Sequence, residues 1–196
     1  ITVDGVRDSA QYTRSDNFNL EALELVNGAN SAMSGAGSVG GNINLVSKTA
    51  HAGNNHDFTL GAGTDGMARL TADSNMELSD GAALRLNAMV HQNDVPDRDV
   101  ERYERWGFAS SFVMGLGSDT RFSVNVLHQQ DDNIPEYGLP YFASYGGLLP
   151  GVDRESYFGY ANIDTQEIEA TTLTGVLDHD FSDTASLRTL ARVQRV

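Results

Sequence analysis

The chain has no cysteine. That excludes a disulfide framework, thiolate chemistry and cysteine-ligated metals. It has no apolar run near the eighteen or so residues of a spanning helix. Strands remain open as a way across a membrane, because barrel strands alternate outward apolar and inward polar residues and give a weak hydropathy signal. Basic charge is scarce: 13 Lys and Arg against 27 Asp and Glu give a net charge of −14. No basic patch is available for a phosphate backbone, so nucleic acid is not an expected partner. The five histidines, His51, His56, His91, His128 and His179, lack paired-ligand spacing. Asp131 and Asp132 form an acidic pair with no nucleophile elbow or general-base partner. No enzyme, resident metal or cofactor is expected. An acidic, soluble, extracellular β-protein would share this composition.

The stretch Leu20–Thr49 organises the rest. Leu23, Leu25 and Val26 form a short apolar run that ends at Gly28. A segment rich in Gly, Ala and Ser follows, and then Asn42 to Val46 resumes an extended alternating pattern. Gly35, Gly37 and Gly40 have the spacing of a dinucleotide fingerprint, but that motif needs a helix N-terminus to hold the pyrophosphate. Here the glycines lead into a strand pattern, so their expected role is positive φ and close backbone packing.

Upstream, Ile1–Val3 reads as a strand, Asp4-Gly5 as a turn, and Arg7 to Arg14 as a polar apex. Arg7, Gln11, Tyr12 and Arg14 could grip an anionic aromatic ligand, since Arg offers planar donors and stacks on rings. The plainer reading of the same residues is a solvated loop with Arg7 paired to Asp8 or Asp16, since exposed charge pairs are common. Asp16–Asn19 offers N-cap candidates, with a brief helical turn expected over Asn19–Glu24 before the Leu25-Val26 strand. Lys48–Asn55 loses its apolar residues and reads as a linker.

Seven candidate strands follow: His56–Thr64, Met67–Leu78, Ala83–Asn93, Arg105–Leu116, Arg121–Asp131, Glu169–His179 and Ala185–Val196. In the fourth, Trp106, Phe108, Phe112, Met114 and Leu116 share one face with Ser110, opposite Arg105, Gly107, Ala109, Ser111, Val113 and Gly115. In the fifth, Phe122, Val124 and Val126 oppose Ser123, Asn125 and Gln129. A large apolar face opposite a small or polar one suits lipid outside and a filled lumen inside; a soluble sandwich would invert which face is dry. The connections favour the barrel. Tight turns at Ser79-Asp80-Gly81, Gly117-Ser118-Asp119 and Phe181-Ser182-Asp183 alternate with a short turn at Asp65-Gly66 and loops at Asp94–Tyr103 and Asp132–Ile168. Short turns at one end and growing loops at the other mark outer-membrane barrels. An odd seventh strand leaves an open edge, no leader precedes Ile1, and Leu187–Val196 stops without a turn. A fragment is expected.

The segment Glu21 to Gly28, then Ser31-Ala32, then Gly35 to Lys48, together with Val3–Asp8 upstream, resembles the end of the plug domain of TonB-dependent outer-membrane receptors. It departs from the family pattern at Ala29 (usually Pro), Ser34 (Tyr) and Ala36 (often Arg). The long-loop segments Asp132–Tyr141 and Gly151–Tyr160 resemble siderophore receptors of the catecholate branch.

The resemblance implies an all-β transmembrane barrel, here about seven antiparallel strands of a 22-stranded whole, preceded by the C-terminal part of a small α+β plug. Residues 1–52 would belong to the plug and 53–196 to the barrel. It further implies a Gram-negative outer membrane with its lipid as surroundings, a ferric siderophore as ligand carrying its own iron, and coupling to the TonB complex through a region N-terminal to this sequence. Arg7, Gln11, Tyr12 and Arg14 at the plug apex, and Tyr137, Tyr141, Phe142, Tyr145, Arg154 and Tyr157 in the long loop, are the expected ligand contacts. The loop aromatics could instead pack on one another or sit at a membrane interface. A receptor for cobalamin or an oligosaccharide, or a non-transporting adhesin or binding module, are the alternatives.

Overall fold

The computed structural model describes residues 1–8, 16–28 and 40–196. Two sheets account for nearly all of its regular structure. The first contains β1 (Thr2–Val3), β2 (Val6–Arg7), β3 (Leu20–Asn27) and β4 (Gly41–Ser47), in the order β2-β1-β4-β3. The second contains β5 (Asn55–Ala62), β6 (Ala68–Ser79), β7 (Ala82–Asp94), β8 (Arg102–Met114) and β9 (Thr120–Ile134). A two-stranded ribbon, β10 (Tyr141–Phe142) and β11 (Gly147–Leu148), lies in the connection after β9, and β12 (Gln166–Ser182) and β13 (Ala185–Arg195) complete the large sheet. Its seven strands pair antiparallel, each with its sequence neighbour in the sheet. All seven expected strands are present, several extended at the loop end.

The small sheet differs from expectation in two places. Leu20–Glu24 is strand, and the helical turn sits earlier, at Asn17–Asn19, where the Asp16 carboxylate caps it by accepting from the Phe18 N–H at 3.0 Å. Leu20 to Asn27 pairs along β4, and that long-range ladder overrides the helical propensity of Leu-Glu-Ala-Leu-Glu. Arg7 lies on the edge strand β2, not on a loop apex. Of the glycines before β4, Gly40 has neither positive φ nor a close neighbour, so the expected tight packing falls one residue later, on Gly41. Its φ is +136°, and a Cβ there would come within 2.5 Å of the Val26 carbonyl oxygen. Strand β4 then follows where a nucleotide fold would need a helix; Gly35 and Gly37 lie outside the described residues.

The small sheet lies against one face of the large one and settles which face is interior. Ala83, Met89, Ala109, Ser111 and Val113 are buried, whereas Phe58, Leu60, Trp106 and Phe108 on the opposite face remain open. A sandwich would have buried the large apolar side chains; here the small and polar face is the covered one. Phe18 is the apolar anchor, packed with Met89, Ala109 and Leu127. Its ring fills the space over Gly107, where an added Cβ would stand 2.8 Å from two ring carbons. The stretch after β4 is held to the large sheet too: the N–H of buried Ala50 donates to Ser111 Oγ at 3.0 Å, and His51 N–H to Asn75 Oδ1 at 3.1 Å.

Three ionic clamps surround this anchor. Asp16 accepts from Arg69 Nη2 at 2.6 Å and from Arg105 Nη1 at 3.0 Å, and Arg105 reaches on to buried Asp131. Lys48 Nζ and Arg85 meet on Asp73, both at 2.8 Å, while Arg85 also holds Glu21 at 2.9 Å. Arg192 holds Asp4 at 2.7 Å and the Val3 carbonyl at 2.9 Å. Asp16 therefore pairs with two arginines of the large sheet and not with Arg7. Burial alone would raise the Asp16 carboxyl, but hydrogen bonds from Arg69 and Arg105, the Arg69 charge and the Phe18 N–H outweigh it and hold the carboxyl below the usual aspartate range.

Two outcomes follow for the folded protein. Gly107→Ala forces the Phe18 ring from its slot, and Phe18→Ala removes the anchor at a cost of about 3 kcal/mol. Because both act on one contact, thermal unfolding of the double variant should fall well short of the summed losses. For Asp16, the depressed carboxyl contributes stability that is complete above the ordinary aspartate value of about 4 and is lost as pH falls through the lower folded value. Hydrogen exchange in β3 and β4 should therefore accelerate in that acid window, and Asp16→Asn should show accelerated exchange already at neutral pH.

Candidate functional site

The two ends of the large sheet are unequal. One end has turns of a few residues, between β6 and β7, β8 and β9, and β12 and β13. The other carries residues 63–67, 95–101 and 135–165. The longest of these contains five of the seven tyrosines, so the candidate site lies at this end.

Within 135–165 the aromatic residues divide into two groups. Tyr137 and Tyr157 approach each other with ring centroids 6.1 Å apart, tilted by 34°. The Tyr157 hydroxyl is buried, and the chain turns closely around it: a Cβ on Gly159 would stand 2.7 Å from that oxygen. Self-packing is therefore the fate of Tyr157. Tyr141, Phe142 and Tyr145 sit instead on the β10–β11 ribbon, with Tyr141 opposite Leu148 and Phe142 opposite Gly147. A single 3-10 turn, Ala143–Tyr145, closed by Gly146 at φ +65°, sharpens the tip. Tyr141 is 68% exposed and Tyr145 66%, so the ribbon presents its rings outward and does not pack them inside. The Arg154 side chain is exposed, while its backbone carbonyl accepts from Arg98 Nη1 at 2.9 Å.

Of the four plug-apex residues, Arg7 is exposed at the edge of the small sheet. Gln11, Tyr12 and Arg14 lie outside the described residues. So do Ala29, Ser34 and Ala36, where the sequence departs from the family pattern. Between the small and large sheets one cavity of about 430 Å³, lined by Glu24, Asn44, Arg121 and Arg188, lies toward the short-turn end, and another, of about 90 Å³, is lined by Asp4, Asp8, Asp16, Gln129 and Arg192. The second is too small for a chelate-sized ligand, since such sites run to several hundred Å³. Three carboxylates also make it a poor seat for an anion. The exposed aromatic ribbon is the better candidate. Sequence reasoning missed Arg98 and Glu101, whose charges read as a solvated turn, and the inward arginines Arg69 and Arg105. The available signal for the latter was a charged residue on an otherwise small, polar face.

No protein-family model matches the chain. Individual relatives do. It is 36% identical over 194 residues to the probable TonB-dependent siderophore receptor PiuA of Acinetobacter baumannii, covering 96% of this chain and 26% of that protein. It is 36% identical over 202 residues to the probable TonB-dependent receptor BfrD of Bordetella pertussis, covering 100% of this chain and 27% of that protein. It is 30% identical over 207 residues to the catecholate siderophore receptor Fiu of Escherichia coli K12, with the same coverage. The crystal structure of PiuA superposes with a TM-score of 0.87 at 35% identity, covering 98% of this chain and 28% of that one. The open form of Fiu superposes at 0.88 and 28% identity, covering 98% and 31%. The chain thus spans about a quarter of the length of the curated relatives it matches. The large sheet is part of a barrel wall and the small sheet part of the plug inside it. By sequence along its length and by superposition of both sheets, the chain belongs to the TonB-dependent receptor family.

Proposed function

We infer that the chain is the end of the plug, residues 1–52, and the first seven wall strands, residues 53–196, of a receptor in a Gram-negative outer membrane. The receptor takes up ferric siderophores, of the catecholate class, by transport energised through the TonB complex. The observation that carries this reading is the exposed Tyr141-Phe142-Tyr145 ribbon in a chain similar along its whole length to a catecholate receptor. A ferric catecholate is a polyanion with aromatic faces. Tyr and Phe rings can stack on those faces, while Arg7, Arg14 and Arg154 supply charge-assisted donors. With a net charge of −14 the chain repels anions at long range, so capture depends on such local arginines. The iron is cargo and stays inside the chelator. The apolar outer face, Phe58 and Leu60 through Trp106 and Phe108, suits lipid contact.

The reading is tested on the full-length receptor in detergent by quenching of Trp and Tyr fluorescence. A ferric catecholate should quench saturably and a ferric hydroxamate should not. Tyr141→Ala and Arg154→Ala should each weaken the catecholate by about tenfold, as central contacts do. Equal response to both chelates, or to neither, removes the catecholate assignment. Uptake that survives a protonophore removes the energised mechanism.

A further inference from the structure

The loop of residues 95–101 is short and highly charged, with Asp97, Arg98, Asp99 and Glu101 in five positions. Solvated charges are the ordinary expectation for such a turn, yet Glu101 is 1% exposed. Its Oε1 receives Arg98 through both Nε and Nη2, a side-on ion pair three residues apart in which the arginine side chain is only 6% exposed. Arg98 has one terminal nitrogen left, Nη1, and it donates across the mouth to the Arg154 carbonyl at 2.9 Å. Beside it, the Asp99 N–H donates to the Glu155 carbonyl at 3.0 Å. Two consecutive carbonyls of the long loop are thus held by two consecutive residues of the short one. The short loop is itself closed by the Val95 N–H donating to the Glu101 carbonyl at 2.9 Å and the Arg98 N–H to Val95 at 3.2 Å.

A buried carboxylate is costly unless paired, so Glu101 fixes Arg98, and the nitrogen Arg98 has left over is directed to the long loop. Of the connections at this end, residues 135–165 have the most chain to order and little regular structure to order it, two two-residue strands and one 3-10 turn. We propose that Arg98 and Glu101 are positioning residues: a buried clasp that seats the 135–165 loop at residues 154–155 and so holds its aromatic ribbon ready for ligand. Neither side chain touches ligand. The clasp rests on the reading of the ribbon as the ligand contact, and it adds that this contact is organised from a different loop. Seating the loop before binding removes ordering entropy that would otherwise weaken capture.

The test uses the full-length receptor in detergent and reads loop order and affinity separately. Arg98→Ala should raise hydrogen exchange across residues 135–165 at least about tenfold, the usual scale for losing a charged hydrogen bond, and weaken the ferric catecholate comparably. Because Arg98→Ala strands a buried carboxylate and could unfold the loop base, Arg98→Met with Glu101→Leu serves as the second variant. It removes both charges, should fold, and should still lose loop protection. A disulfide from Asp99→Cys and Glu155→Cys, its formation checked by mass spectrometry, targets the backbone contact between residues 99 and 155. Introduced into the double variant, it should restore both protection and affinity. Unchanged exchange in the variants overturns the clasp. Increased exchange with unchanged affinity overturns its role in capture, provided Tyr141→Ala still weakens binding. If Tyr141→Ala also binds like the parent, the failure lies in the ribbon's assignment to ligand.

Discussion

The aromatic ring of Phe18, set over Gly107 and flanked by the Asp16 carboxylate, is the contact on which the arrangement of the two sheets depends. It combines an apolar anchor with an ionic clamp two residues away. The ring needs a wall position with no side chain, and Gly107 supplies it. The clamp needs cations on the inner face at matching height, and Arg69 on β6 and Arg105 on β8 supply them. Apolar burial here is modest, because the covered face of the wall is mostly small or polar, with Met89 and Val113 the larger apolar exceptions. Polar pairing therefore does much of the fastening, through Asp16, Asp73 and Asp4 on three sets of wall or plug cations. An interface of this kind holds by specific geometry rather than by area. Removing one partner leaves a poorly solvated charge behind.

The same economy governs the loop end. A wall of antiparallel strands fixes where each loop begins and ends, but not the path between. Over residues 135–165 that path is held by a ribbon of two two-residue strands, a tyrosine pair and two hydrogen bonds from residues 98 and 99, among other local contacts. Rings that pack inward, such as Tyr157, give the loop its shape. Rings left outward, such as Tyr141 and Tyr145, are free to meet something else. The long loop thus has both characters, and which residue has which follows from its position relative to the ribbon.

Much of the architecture was legible in the residues. Period-two alternation in β8 and β9 located the strands, and turn signals at every second connection gave the wall its polarity, because side-chain direction in a strand is a local property. Close packing of the glycine-rich stretch holds at Gly41, which opens β4, but not at Gly40, which has open space beside it, while residues 29–39 lie outside the described residues. Leu20–Glu24 was not legible, since its helical propensity is local and its pairing with β4 is not. The role of Asp16 was equally hidden. Its partners are 53 and 89 residues away, and in sequence the nearer cations look more natural.

The sequence by itself determined the strand content, the family and the unequal ends, all of which rest on periodicity, turn chemistry and motif. The tertiary structure covered the face that the connections, not the alternation, had pointed to, and it alone decided which carboxylates meet which arginines and which aromatics remain exposed. Alternation is symmetric between the two faces of a sheet. Ion pairs between distant strands depend on register and on the height at which the plug sits, and these exist only once the chain has folded.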